Sequence, residues 1–278
     1  MKIRKISSSL NSSFKNTKKI ILQKKYRDIF KKFWVEGEKT VKTFITCSVS
    51  QKLIFCVRES AFQRVKKDLL TNRENIEEIR IFADDLYSKL SQVVDNSTNY
   101  GILLDMPIMR KLEDNLSGNI VYLHNLQDPG NLGTIIRICA AVESKELLLS
   151  KKCVDPWSPK VIRAASGGHL FIRIRVVETI EQLLTFSKKR SFPIIAASTS
   201  GKTNNFYHTE FSSNSNIILA FGSEGNGLPH KLLKNSLVQK ICIPHRRELA
   251  SINVSSALAV VMFELHRRKF LDVTAIKT

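Results

Sequence analysis

NLQDPGNLGTIIR, residues 125–137, carries the clearest architectural signal in the chain: the apolar run IVYLHNL (120–126) breaks at a turn rich in Asp, Pro, Gly and Asn, and the chain then becomes helical. Asn131 is placed to cap that helix, whose buried stripe is Leu132, Ile135, Ile136, Cys139 and Val142. Arg137 falls about 140° round from Leu132, at roughly 100° per residue, and so points out of the core. Position alone fits a solvated arginine as well as a functional one. Two later stretches repeat the construction, AFGSEGNGL (220–228) and IPHRRELASINVSSA (243–257). Each reads as a strand ending in a loop that lets backbone approach a ligand closely.

Further strands are expected at ELLLS (146–150), FIRIRVV (171–177), FPIIAAS (192–198), NIILAFG (216–222) and QKICIP (239–244). Helices fit SPKVIRAAS (158–166), ETIEQLLTFSKK (178–189) and INVSSALAVVMFELHRRKF (252–270). Continuous apolar strands between helices imply an α/β fold with a mostly parallel sheet covered on both faces. Ligands sit beyond the carboxyl ends of such strands, where all three loops fall.

The first hundred residues alternate too. A helix is expected from Lys18 to about Lys42, with Ile21, Leu22, Ile29, Phe30 and Phe33 as its apolar stripe. Strands follow at 52–57, 78–82 and 100–105, with helices at 61–70 and 83–94. The domain reading is a small α/β domain over 1–106 with a basic, largely helical lead-in over 1–50, a linker at 107–118, and a second domain over 119–278.

The 278 residues carry 44 Lys plus Arg against 25 Asp plus Glu, a formal charge of +19, which favours a polyanionic partner through counterion release. A merely solvated basic surface is the alternative. Residues 1–27 hold nine Lys or Arg and no acid, and read as an RNA-facing segment, with an organellar transit peptide as the other possibility. Five widely spaced cysteines without a CxxC argue against a disulfide framework or zinc ribbon, and imply a reducing compartment with buried thiols. No apolar run reaches the roughly 20 residues that span a bilayer. The expectation is a cytoplasmic protein.

Gly222, Gly225 and Gly227 allow positive φ or close approach, with Glu224 the one charge among them. Ser251 has an ordinary use as a helix cap. AASTSGKT (196–203) approximates a phosphate-cradling loop, but no amphipathic helix follows it. No GxGxxG follows a strand, which weighs against a Rossmann-type methyltransferase.

Together the three segments resemble the SpoU (TrmH-like) family of SPOUT RNA ribose 2′-O-methyltransferases over residues 118–270. The resemblance rests on Asn131, Gly133 and Arg137; on Gly222, Glu224 and Gly227; and on Ser251, Ile252, Asn253, Val254 and Ser255, in order. RAASGG (163–168) is similar to a further family stretch, and the N-terminal region resembles the ribosomal-protein-like substrate-binding domain often attached to these enzymes. Ile252 replaces the usual Leu, and Pro244-His245-Arg246-Arg247 stands where the family has Pro-Met-x-Gly.

The resemblance implies a C-terminal trefoil knot and S-adenosylmethionine held by Ala197, Ser198, Gly222, Glu224, Gly227, Ile243, Ile252 and Asn253, with no metal. It implies methyl transfer to a ribose 2′-hydroxyl, most of all in large-subunit ribosomal RNA, with transfer RNA second. Arg137 would hold the target phosphate and stabilise charge on the 2′-oxygen; Asn131 would orient Arg137 or the ribose, Glu224 would fix a neighbouring donor, and Ser251 and Asn253 would shape the pocket. RNA contacts are assigned to Lys24, Lys25, Arg27, Arg163, Arg246 and Arg247. By the same resemblance the helix at 252–268, with Ser255, Ser256 and Ala259 beside Val260, Met262 and Phe263, would pack against a second subunit in a homodimer. A non-catalytic RNA-binding protein with the same knotted fold is the alternative.

Overall fold

The computed structural model describes residues 1–47, 51–71, 75–93, 98–109, 112, 116, 118–198, 203–210, 216–246 and 248–275, and the side chains of all of these except 67–71 and 269–275. They form two units, Met1–Ile108 with Asp155–Leu170, and Met109–Val154 with Phe171–Thr278. Among the described residues no helix is long and apolar enough to cross a membrane.

The first unit runs β1 (Lys2–Ile6), α1 (Ser12–Leu22), α2 (Lys24–Phe30), β2 (Lys32–Glu36), α3 (Glu38–Cys47), β3 (Leu53–Arg58), α4 (Glu59–Thr71), β4 (Ile76–Phe82), α5 (Asp84–Ser88) and β5 (Tyr100–Asp105). Its sheet has the order β1-β4-β3-β5-β2; β1, β4 and β3 are parallel, and β5 runs antiparallel to both β3 and β2. The single helix expected over 18–42 is instead two helices, a strand and the start of a third helix. Gln23 is extended and separates α1 from α2, and Lys31 at φ 51° ends α2. Phe33, Trp34 and Val35 then pair with β5, so tertiary burial overrides the helical spacing. Sequence reading missed β1, because KIRKI is a mostly exposed edge strand in which basic residues replace the alternation. The helix expected over 83–94 stops at Ser88. Beyond it, the buried Glu36 carboxylate accepts the Gln92 backbone N–H at 2.9 Å, and the Ser91 hydroxyl donates to its other oxygen.

The second unit runs β6 (Ile120–His124), α6 (Pro129–Ala141), β7 (Glu146–Ser150), then, after α7 (Pro159–Ala165) of the first unit, β8 (Arg173–Val177), α8 (Ile180–Arg190), β9 (Ile194–Ala197), β10 (Asn204–Asn205), β11 (Ile218–Gly222), α9 (His230–Leu233), β12 (Val238–Cys242) and α10 (Val254–Ala275). Its sheet, ordered β10-β12-β9-β11-β6-β7-β8, is parallel throughout, as the apolar strands predicted. One face packs Tyr122, Leu148, Ile194 and Ile218 against Leu183 and Phe186 of α8 and Leu232 of α9. α10 packs on α6 and β11, with Leu258, Val261 and Met262 buried. The α6 stripe expected from sequence is buried as expected: Leu132, Ile135, Ile136 and Cys139 are inaccessible and Val142 nearly so.

Two expectations fail in these units. Residues 155–170, read as part of the second domain, cluster with the first: Trp157 packs its ring 4.9 Å from Phe33, and α7 lies on β2. The thiols are not all buried either. Cys56 and Cys139 are, and burial pushes each up to about 12, but Cys47 is exposed and Cys153 and Cys242 are half-buried.

Arg27, read as an RNA contact, is 4% exposed and holds the first unit together. Its Nη1 donates to the Ile20 and Ile21 carbonyls at 2.7 and 3.1 Å, closing the end of α1, while Nε and Nη2 donate to Asp155 at 2.8 and 2.6 Å. Truncation leaves a buried carboxylate and open carbonyls. Arg27→Ala is expected to cost about 3–5 kcal/mol in urea denaturation, with little relief from added salt. His169 gives a pH signature in the same unit: burial holds its imidazole down at about 4 while Nε2 donates to the Pro156 carbonyl at 2.8 Å. The unfolded chain therefore binds the extra proton first, and stability of this unit is expected to fall as pH drops from about 6.5 toward 4, with His169→Gln flattening that limb of the denaturation profile.

Candidate active site

The chain reverses its direction across the second sheet between β6 and β11, and at their carboxyl ends His124 pairs in register with Gly222. A crevice opens at such a switch point. The loop after β6 enters it as the start of α6, the loop after β11 folds over it, and the segment after β12 returns to it as the start of α10. Three stretches far apart in sequence meet because parallel strands all deliver their carboxyl ends to one edge.

The cap of α6 is Asp128, not Asn131 as expected: the Asp128 carboxylate accepts the Asn131 backbone N–H at 2.6 Å, with Pro129 opening the helix. The Asn131 side chain is thereby released for the site. Its Nδ2 donates to Glu224 Oε1 at 2.6 Å, and its Oδ1 accepts from Asn253 Nδ2 at 3.0 Å. Asn253 Nδ2 also donates to Glu224 Oε1 at 3.1 Å. Asn253, not Ser251, caps α10, its Oδ1 accepting the Ser255 backbone N–H at 2.9 Å and the Ser256 N–H at 3.3 Å. That cap fixes which end of the amide is oxygen, so Nδ2 must face Asn131 and Glu224. Ser255, part of the motif but given no role in the expected site, donates its hydroxyl at 2.6 Å to the same Oδ1.

Beside this junction lies a cavity of about 200 Å³. Of the residues assigned to a cofactor, Ala197, Ser198, Gly222, Glu224, Gly227, Ile243 and Ile252 line it, and Asn253 stands at its edge in the junction with Glu224. Ser251 lines it as well, together with Phe221, Leu228, Cys242 and His245, which sequence reading did not assign. His245 Nδ1 donates to the Ile243 carbonyl at 2.7 Å, tying down the segment that departs from the family pattern. His124 ends β6 at the same edge. The Tyr122 hydroxyl, whose phenol burial holds well above its usual range, shares a hydrogen bond with His124 Nδ1 at 2.8 Å. Burial and then Lys152 hold the imidazole below its ordinary value.

Arg137 is exposed on α6, away from the buried stripe as expected, and no described residue bonds its guanidinium. Arg246 is exposed beside the cavity segment, and Arg247 lies outside the described residues, as do 199–202 of the phosphate-loop candidate. Lys24, Lys25, Arg27 and Arg163 belong to the first unit. Of these, Lys24 and Lys25 are exposed, whereas Arg163 is half-buried with an Nη1 that no described group bonds. On α10, Ser256, Val260 and Phe263 are exposed, but Ser255 and Met262 are buried within the chain and so drop out of the expected outer face.

The two loop glycines do different work. A Cβ on Gly222 would sit 2.0 Å from the Gly227 carbonyl carbon, and only hydrogen there lets the Gly227 N–H reach Ser223 O at 2.8 Å; Gly227 itself adopts φ +61° with open space round it. Gly225 meets neither condition. Gly222→Ala is expected to open the loop and cost about 1–3 kcal/mol or more, against about 1–2 kcal/mol for the αL strain of Gly227→Ala. Thermal unfolding of the two variants checks the order, which a reversed ranking would refute.

Residues 118–263 match the model of the SpoU rRNA Methylase family. An uncharacterized tRNA/rRNA methyltransferase from Synechocystis sp. is 34% identical over 152 residues, 55% of this chain and 54% of that one. The mitochondrial rRNA methyltransferase 3 of Homo sapiens is 29% identical over 167 residues, 58% of this chain and 38% of its own. This chain thus spans about half the length, or less, of these relatives. Among solved structures, the AdoMet-bound rRNA methyltransferase from Sinorhizobium meliloti superposes with a TM-score of 0.80 at 22% identity, covering 96% of this chain and 98% of that one, which establishes a shared fold. With more than half its length matched to the family model, its three motif segments gathered at one crevice and its fold shared with a solved rRNA methyltransferase, the chain belongs to the SpoU rRNA Methylase family.

Proposed function

We propose that this protein is an S-adenosylmethionine-dependent RNA methyltransferase acting on a ribose 2′-hydroxyl, with large-subunit ribosomal RNA as the first candidate substrate and transfer RNA the second. The carrying observation is the junction of Asn131, Glu224 and Asn253 beside a cavity lined by seven of the residues assigned to the cofactor. The walls suit that cofactor. Phe221, Leu228, Ile241, Ile243 and Val254 would give a purine an apolar bed, backbone at Gly222 and Ile243 would read its edge, and Glu224, the one carboxylate among the described lining residues, would face a cationic donor. When bound, S-adenosylmethionine supplies an electrophilic methyl group.

The chain's own contribution is positioning and charge. Glu224 Oε1 is committed to the two amides, and no described group bonds its Oε2, which is free to hold a substrate hydroxyl. Arg137, a guanidinium that stays charged at neutral pH, would clamp the target phosphate and stabilise charge on the 2′-oxygen, and is unsuited to act as a simple base. The reading extends to a threaded, knotted C-terminus and to a homodimer in which the exposed Val260 and Phe263 of α10 meet a second copy.

Incubation with labelled S-adenosylmethionine and unmodified ribosomal or transfer RNA, followed by mapping of the product, tests the proposal directly. Label on a ribose is expected; label on a base, or none, overturns it. Arg137→Ala is expected to reduce turnover at least about 100-fold, the order lost with one charge-stabilising donor, while calorimetric binding of the cofactor stays within a few-fold.

A further inference from the structure

Helix α2 is inside out. Its one buried residue is Arg27, while its outward face carries Tyr26, Ile29 and Phe30, with Ile29 58% and Phe30 37% exposed and Leu22 at the end of α1 54% exposed. The apolar spacing placed Leu22, Ile29 and Phe30 in a buried stripe, and they stand in solvent because the Arg27–Asp155 pair has taken the inner face. The rings of Tyr26 and Phe30 lie 6.3 Å apart with 23° between their planes, and Lys19 Nζ sits 4.9 Å over the Tyr26 ring. Lys24, Lys25 and Lys31 are exposed around them, against one acid, Asp28.

Near-parallel aromatic rings, Phe30 exposed and Tyr26 half-buried, set among lysines combine the two contacts that single-stranded RNA uses, base stacking and phosphate neutralisation. A second copy of the same face would bring like charge against like. We propose that the α2 face is a stacking platform for unpaired bases of the RNA substrate, with Tyr26 and Phe30 taking the bases and Lys24 and Lys25 the flanking phosphates. This inference rests on the RNA reading given under Proposed function.

Fluorescence anisotropy with a labelled single-stranded RNA of mixed sequence, and with its duplex, tests the platform in the full-length protein. Tyr26→Ala and Phe30→Ala are each expected to weaken single-strand binding about 5- to 150-fold without changing the slope of log K against log salt. Lys24→Ala and Lys25→Ala are each expected to reduce that slope by about 0.7. Tyr26→Leu and Phe30→Leu keep apolar bulk while removing the ring face, and are expected to show the same loss with an unchanged melting profile. Single-strand affinities of the aromatic variants within about twofold of wild type overturn the platform, as does a shift in sedimentation in place of an RNA effect, which would assign the face to self-association. A wild-type protein that binds no RNA would instead sink the functional reading.

Discussion

The parallel pairing of β6 with β11 is the constraint from which the site follows. Once Ile218 to Gly222 lie alongside Ile120 to His124, the loops after both strands must leave from the same level on the same edge. Asn131 and Glu224, 93 residues apart in the chain, then come within 2.6 Å. Their hydrogen bond is exposed and by itself worth about 1 kcal/mol. The buried sheet and its two helical faces supply the energy that keeps them there.

Division of labour among short polar side chains is a second theme. Asp128 takes the cap of α6, which leaves Asn131 free; Asn253 caps α10 with its oxygen, which leaves its nitrogen directed at Glu224. The same residue types serve a helix end in one case and a site in the other, and only the hydrogen-bond geometry separates the roles. Gly222 belongs to this logic too, because the contact that demands glycine is the loop's own backbone. A motif glycine here is read first as a requirement of loop closure, and the cavity is its consequence.

Basic residues divide in the same way. Arg27 is spent inside the first unit on Asp155 and the end of α1, and Arg175 is buried against Glu146 in the second, whereas Lys24, Lys25 and Arg137 remain at the surface. A net charge of +19 therefore overstates how many cations face a partner and says nothing about which ones.

Continuous apolar strands, helical periodicity and glycine-rich loops are local signals, and they made the parallel α/β class, the buried stripe of α6 and the outward position of Arg137 legible in the sequence; the cavity residues were reached only through the resemblance of their motifs to a known family, and Phe221, Leu228, Cys242 and His245 not even so. Long-range packing makes Lys32–Glu36 a strand, sets 155–170 with the N-terminal unit and turns Leu22, Ile29 and Phe30 to solvent, none of which is a local signal. Helical spacing records that one face is apolar, not which neighbour will claim the other. The reach of Asn253 to Glu224 was equally hidden, since hydrogen bonds between distant loops depend on strand order, and strand order is a property of the folded sheet.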